Sequence, residues 1–195
     1  MRRMRKRRWK PRETQLHEAE APTRPPRPVD PDKARERTFQ RAVKLLAAKP
    51  RSVEELRERL LEKQWTDEAA VDAVITKLRE HGYLNDEQFA VSYASFQVRQ
   101  KPVGRQRLQR ALALKKIDRE TADQAITQVF EEMPEEQLIE RAIERRLRLR
   151  GRPQTRAESK SLFDHLLRQG FSYELVIRKV RAAADAKLDE EAADA

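Results

Sequence analysis

Two groups of basic side chains are the strongest chemical signal in the sequence. The first group contains Arg99, Lys101, Arg105, Arg107, Arg110, Lys115 and Lys116, and the second contains Arg141, Arg145, Arg148 and Arg152. Between residues 99 and 119 the single acidic residue is Asp118. Guanidinium and ammonium groups bind phosphate or carboxylate oxygens, and guanidinium can do so through two parallel hydrogen bonds. Both groups therefore predict contacts with a nucleic-acid backbone or an acidic protein surface.

The second group has helical spacing. At about 100° per residue its four arginines share one stripe, opposite an apolar face that contains Ile139 and Ile143. Such a stripe can also be a solvated helix surface that binds nothing, and this alternative stays open for both groups.

Residue types that support catalysis or metal binding are sparse. The three histidines, His17, His81 and His165, are isolated from one another, and the chain contains no cysteine. No metal-ligand spacing, glycine-rich phosphate loop or nucleophile motif is present in the sequence. We therefore expect no enzymatic activity, no metal site and no cofactor.

Most of the net charge of +10 lies in the first 12 residues, which hold eight of the 43 basic side chains and no acid. The remaining 183 residues hold 35 basic and 33 acidic side chains, so the body of the protein is nearly neutral. This N-terminal arm either adds salt-sensitive phosphate affinity or only solubilises the chain. No apolar run reaches the roughly 20 residues of a membrane span, and no secretory signal follows the basic start, so we expect a cytoplasmic protein.

A nine-residue pattern occurs three times, at a helix–turn–helix corner. The copies are LLEKQWTDE at 60–68, LALKKIDRE at 112–120 and LLRQGFSYE at 166–174. Each copy has a bulky apolar residue five positions after a leucine, and these residues are Trp65, Ile117 and Phe171. A helix-capping residue type follows in each copy, namely Thr66, Asp118 and Ser172. We expect the apolar residues to plug each corner against the first helix of its repeat.

Helical periodicity between these corners predicts an all-α fold, an elongated tandem array of three three-helix repeats. The predicted units are a disordered basic and proline-rich arm at 1–37, repeats at 38–84, 85–133 and 134–184, and a short acidic tail at 185–195. Capping boxes are predicted at Ser52 with Glu55 and at Thr155 with Glu158, and Gly82 is predicted to end a helix.

Several segments resemble the RecX family of bacterial regulatory proteins. They are RSVEELRERLLEK at 51–63, GYLNDEQFAVSY at 82–93, GRQRLQRAL at 104–112, KKI at 115–117 and RQGF at 168–171, and the similarity covers about residues 38–182. The chain departs from the family at Gln64 and Lys116, where glycine usually precedes the plug residue, whereas Gly170 keeps it. We therefore expect these two corners to end their helices less sharply than a corner with glycine, within the same fold.

The resemblance implies a protein without enzymatic activity that lodges in the groove of the RecA filament on single-stranded DNA. We expect it to be a monomer, although the sequence does not decide whether monomers or dimers act. Proteins of this kind restrain ATP hydrolysis, strand exchange and stimulated repressor cleavage. The basic residues named above are then candidate filament contacts on grounds of charge alone. The alternative is a stand-alone, sequence-nonspecific nucleic-acid-binding helical repeat protein, with weak direct DNA binding as an intermediate case.

Overall fold

The computed structural model describes the backbone of residues 30–193 and the side chains of residues 30–183. Within these residues the chain forms nine helices and no strand. They are α1 Pro31–Ala48, α2 Val53–Leu61, α3 Glu68–Glu80, α4 Asp86–Gln100, α5 Arg105–Ala113, α6 Arg119–Glu132, α7 Glu135–Arg150, α8 Arg156–Arg168 and α9 Tyr173–Ala193. The all-α prediction and its three sets of three helices are confirmed.

The first and last helices extend beyond the predicted repeats at both ends of the described residues. Helix α1 begins at Pro31, so residues 31–37 of the predicted disordered arm are helical. Asp30 caps this helix and proline occupies its first position, where the missing N–H has no intrahelical partner to lose. Helix α9 continues to Ala193, through most of the predicted acidic tail. The rest of the arm lies outside the described residues.

Short polar side chains fix most helix starts. Asn85 Oδ1 accepts a hydrogen bond from Gln88 N at 2.9 Å, and Asp118 Oδ1 accepts one from Thr121 N at 2.9 Å. The predicted cap at Thr66 is wrong, because Asp67 caps α3 and accepts from Ala70 N at 2.7 Å. Thr66 instead forms a 2.8 Å hydroxyl–hydroxyl hydrogen bond with Thr38 of α1.

The predicted capping boxes had different outcomes. Thr155 and Glu158 form a complete box at the start of α8. Ser52 accepts from Glu55 N at 3.1 Å, but the Glu55 carboxylate is paired with Lys115 rather than with the cap. Gly82 has φ +71°, the left-handed conformation predicted for it.

Two apolar cores hold the array together. Repeat 1 has its own core, built on Ala42, Leu56, Leu60 and Val71. Repeats 2 and 3 share a second core that includes Ile117 and extends to α9. Ile117 and Phe171 are buried, with 6% and 0% of their surface exposed, whereas Trp65 is only half-buried.

The start of α2 is the point where repeat 2 docks on repeat 1. Asp86, the first residue of α4, accepts a hydrogen bond from Val53 N at 2.9 Å. The carbonyl oxygen of Lys115, at the second corner, accepts from Ser52 Oγ at 2.5 Å. Both contacts satisfy polar groups that a helix terminus otherwise leaves without partners. Burial raises the pKa of the Asp86 carboxyl, although the Val53 N–H and the Arg79 charge oppose this shift.

Repeat 3 docks on repeat 2 in the same way, at the start of α5. Glu135, the first residue of α7, accepts from Arg105 N at 2.9 Å. Gly104 N donates to the Gln169 carbonyl at 3.0 Å, and Gln106 N donates to the Gly170 carbonyl at 3.1 Å. Burial raises the pKa of Glu135, as it does for Asp86. The repeated corner therefore places the end of one repeat's middle helix against the start of the preceding repeat's middle helix.

Candidate functional site

The seam between repeats 2 and 3 contains an open pocket of about 250 Å³ with a basic lining. Its walls are Lys101 and Pro102 from the α4–α5 connection, Ala142, Arg145, Arg146 and Leu149 from α7, and His165 and Gln169 from α8. We call its polar residues, namely Lys101, Arg145, Arg146, His165 and Gln169, the basic notch. The notch brings one residue of the first predicted group together with one of the second.

The local backbone explains why Lys101 reaches this seam. Helix α4 ends at Gln100, and Lys101 is extended, with φ −147° and ψ 140°. The following Pro102 disfavours helical conformation at the residue before it. Three residues after Lys101, Gly104 hydrogen-bonds to Gln169, so the connection is held against the end of α8.

The three cations of the notch, Lys101, Arg145 and Arg146, form no ion pair with another described residue. Lys101 and Arg145 are exposed and carry no acidic partner there. Arg146 donates to Ser161 Oγ at 3.3 Å, and Arg107 donates to Gln169 Oε1 at 2.8 Å, which places a further guanidinium beside the rim. The notch therefore presents concentrated positive charge to solvent without local neutralisation.

His165 contributes a neutral polar group to the notch. Burial lowers the pKa of its imidazole, and the neighbouring charges of Arg146 and Arg168 lower it further. The imidazole is therefore uncharged at neutral pH and can accept or donate a hydrogen bond. An anion bound in the notch would oppose the effect of these arginines and favour the imidazolium.

Lys115 and Lys116 do not belong to this surface. Lys115 Nζ lies 2.8 Å from Glu55 and Lys116 Nζ lies 3.0 Å from Glu58, both carboxylates of α2. These acids lie about 60 positions earlier in the chain, outside the segment in which Asp118 is the single acidic residue. Their ion pairs reinforce the junction between repeats 1 and 2.

The remaining predicted contact residues lie along the outer surface. Arg105 donates to Thr127 and lies over the Phe130 ring, 5.5 Å from its centroid. Arg110 donates to the Gln106 carbonyl, and Arg141 lies 3.9 Å from Met133 Sδ. Arg148 pairs with Glu144 at 3.7 Å. Arg99 and Arg152 are exposed. Arg146 was missed, because the helical stripe through Arg145 excludes its immediate neighbour, although both line the notch.

Neither a group of metal ligands nor a membrane-spanning helix is found in the described part of the chain. No group of three or more His, Asp or Glu side chains is placed to hold a metal ion there. None of the described helices combines the length and the apolar character that crossing a bilayer requires.

The nine helices of the described residues form three stacked sets, with a cationic seam between the second and third sets, and this arrangement defines a tandem three-helix-repeat protein. Two of the repeats match domains of a known family: the first three-helix domain of RecX matches residues 39–78 and the second matches residues 85–126. Repeats 1 and 2 of this chain are therefore similar to the two RecX three-helix domains.

Curated relatives and solved structures agree with this similarity. The regulatory protein RecX of Bacillus pumilus is 28% identical over 157 residues, which cover 80% of this chain and 59% of the relative. The Bacillus velezensis protein of that name is 36% identical over 91 residues, covering 47% of this chain and 34% of the relative. This chain thus spans less than two thirds of either relative.

The crystal structure of RecX from Lactobacillus salivarius has a TM-score of 0.71 at 19% identity, covering 78% of this chain and 98% of that one. A second crystal structure, of a regulatory protein RecX, has a TM-score of 0.64 at 23% identity, covering 74% of this chain and 70% of that one. These two likenesses establish the fold.

Proposed function

We propose that the protein is a non-enzymatic regulator that binds the RecA filament on single-stranded DNA and lowers its ATPase, strand-exchange and co-protease activities. The observation that carries the proposal is the basic notch at a seam between stacked repeats, in a chain whose first two repeats are similar to RecX domains. A RecA filament is a repeating polymer, and a tandem protein can contact it at several points. Linked weak contacts gain affinity through effective concentration, so no single strong site is needed.

The notch supplies the contact chemistry in this proposal. Lys101 and Arg145 are available to phosphate or carboxylate oxygens because they have no acidic partner among the described residues. Gln169 and His165 add neutral hydrogen-bonding groups beside them. A monomer presents one such notch, and the other exposed arginines of the two groups lie on the surrounding surface as weaker contacts.

The test is RecA ATP hydrolysis on single-stranded DNA with this protein added below stoichiometry. The wild-type chain should lower hydrolysis, and the double variant Lys101→Glu, Arg145→Glu should need at least about tenfold more protein for the same effect, since like charges at an interface are strongly unfavourable. Lys160→Glu is the matched control: it reverses an exposed charge of α8 about 140° around the helix from His165. Unchanged hydrolysis with the wild-type chain, or an equal loss in the control, contradicts the proposal.

Direct nucleic-acid binding without RecA is the second candidate, and the unpaired notch cations and the basic arm favour it. Deleting residues 1–29 separates the two functions without removing any part of α1, in which Ala34 is buried. If RecA inhibition survives while binding to free DNA collapses, the arm is accessory to filament regulation. If both are lost together, direct DNA binding is the primary activity.

A further inference from the structure

A second open pocket, of about 440 Å³, lies on repeat 1, far along the chain from the notch. It is lined by Arg37, Gln40, Arg41, Lys44 and Leu45 of α1 and by Trp65 of the first corner. We call it the Trp65 pocket. None of its residues belongs to the basic groups that the sequence indicated, although Trp65 was expected to be a buried plug.

Trp65 is the plug residue that stays accessible. Ile117 and Phe171 are buried at the corners that dock on a preceding repeat. The first corner has no preceding repeat to dock on within the described residues, and its indole remains half-buried on the side of α1. The apolar face of the indole therefore remains partly exposed to solvent.

The cations beside Trp65 form a row along α1. Arg37, Arg41 and Lys44 are spaced four and three residues apart, so they share one helix face. They form no ion pair with another described residue, whereas the neighbouring cations Lys33 and Arg35 pair with Asp30 and Asp32. The charge of this row is therefore free to act on a ligand.

Arg41 carries an unused donor. Its Nε is buried and has no hydrogen-bond partner. A buried polar group without a partner costs free energy, and its presence in a native fold calls for an explanation such as a missing ligand or water.

We infer that the Trp65 pocket binds single-stranded nucleic acid, with the α1 cations on the phosphates and a base stacked on the indole. Base stacking on an aromatic side chain beside a positively charged track is the usual means by which proteins bind single strands without sequence preference. A duplex offers no free base face for stacking, and an acidic peptide offers none at all, so the indole favours a single strand. This inference rests on the direct nucleic-acid binding of the second candidate function, and it assigns that binding to repeat 1.

Trp65 is itself the probe, because the chain has only one other tryptophan, Trp9. In the full-length Trp9→Phe variant, oligothymidylate should quench the remaining indole fluorescence saturably. The double variant Arg37→Glu, Lys44→Glu should raise the Kd at least about tenfold and flatten its salt dependence, because contacts to two phosphates are lost. Arg35→Glu is the control, since Arg35 already pairs with Asp32 and does not line the pocket.

Stacking is tested separately from charge. Trp65→Leu keeps an apolar side chain at the corner and should weaken binding of fluorescein-labelled oligothymidylate, measured by anisotropy, by about tenfold. Polyglutamate should quench Trp65 weakly, because it carries charge without bases. Equal quenching by polyglutamate, an equal loss in Arg35→Glu, or an indole signal unchanged by oligothymidylate would each overturn the inference. These binding assays contain no RecA, so their outcome does not decide the filament proposal, which is tested by RecA ATP hydrolysis.

Discussion

Replacing Gly104 by alanine should undo the docking of repeat 3 on repeat 2. Gly104 has φ −89°, which alanine adopts without strain, so the effect of the new methyl group is purely steric. The added Cβ would overlap the carbonyl group of Gly170 and the amide nitrogen of Phe171. Because both neighbours are backbone atoms, no side-chain rotation relieves the overlap, and the third corner must move away.

The magnitude follows from what this movement breaks. The two backbone hydrogen bonds of the junction, from Gly104 and Gln106, contribute about 0.5–1.5 kcal/mol each. Overpacking a well-packed contact costs about 1–3 kcal/mol. We therefore expect the free energy of unfolding to fall by about 2–6 kcal/mol, which is large for a one-carbon change.

Urea unfolding followed by far-UV circular dichroism measures this change, with Gly82→Ala as the matched control. Gly82 has φ +71° and open space around its Cβ position, so alanine there costs only backbone strain, about 1–2 kcal/mol. Adding Gly170→Ala to Gly104→Ala should cost less than the sum of the single changes, because both break the same contact. If Gly104→Ala costs no more than Gly82→Ala, the described junction does not stabilise the protein. Since Lys101 and His165 are held by this junction, the variant should also weaken RecA inhibition.

Three further changes test other parts of the molecule. Lys116→Gly should raise the urea midpoint slightly, because Lys116 has φ +61°, a conformation that glycine adopts freely. The variant also removes the Lys116–Glu58 ion pair, and Glu58→Gln measures the effect of that loss alone. Glu135→Gln keeps an acceptor for Arg105 N but cannot ionise. Because burial raises the folded-state pKa of Glu135, this variant should gain stability relative to the wild type as pH rises above the ordinary carboxyl pKa of 4.5. Glu135→Ala, which loses the helix cap, should cost about 1 kcal/mol of unfolding free energy at every pH. The folded-state pKa of His165 is lowered, so the wild type should lose stability as pH falls below the ordinary histidine pKa of 6.5. His165→Gln should therefore flatten the pH dependence of the unfolding free energy in this range. A profile unchanged by the variant would contradict the described burial.

Local signals allowed the helices to be predicted, and mostly the correct caps, because the residues that decide them are neighbours in sequence. Asp118 and the Thr155–Glu158 box act within one helical turn. The early start of α1 has its own signal in the sequence, Asp30 followed by Pro31, whereas the proline content of the arm led to a prediction of disorder. Thr66 and Asp67 are both capping types; Asp67 caps α3, whereas Thr66 bonds to Thr38 of α1, a contact 28 positions away that local sequence does not reveal.

The candidate site was less predictable, because its charge balance depends on residues far apart in sequence. Lys115 and Lys116 appear unopposed within their own segment, but docking brings Glu55 and Glu58 to them. Conversely, the notch joins Lys101 to Arg145 only because Gly104 lies against the end of α8. A sequence scan can find the cations, whereas the fold decides which of them remain unpaired.

The start of α8, at the outer end of repeat 3, differs from the helix starts at the two junctions between repeats. The starts of α2 and α5 depend on a carboxylate and on corner carbonyls from the following repeat, whereas the start of α8 is satisfied within its own repeat. There Glu158 accepts from Thr155 N at 3.1 Å and from Gln154 N at 2.6 Å, and these bonds hold its pKa below the usual value. A further repeat or a second copy that docked by the same rule would first have to displace this carboxylate. Glu158→Ala should therefore expose a helix start that resembles the docked ones, and self-association that appears in this variant but not in the wild type would show that the capping box keeps the stack closed at this end.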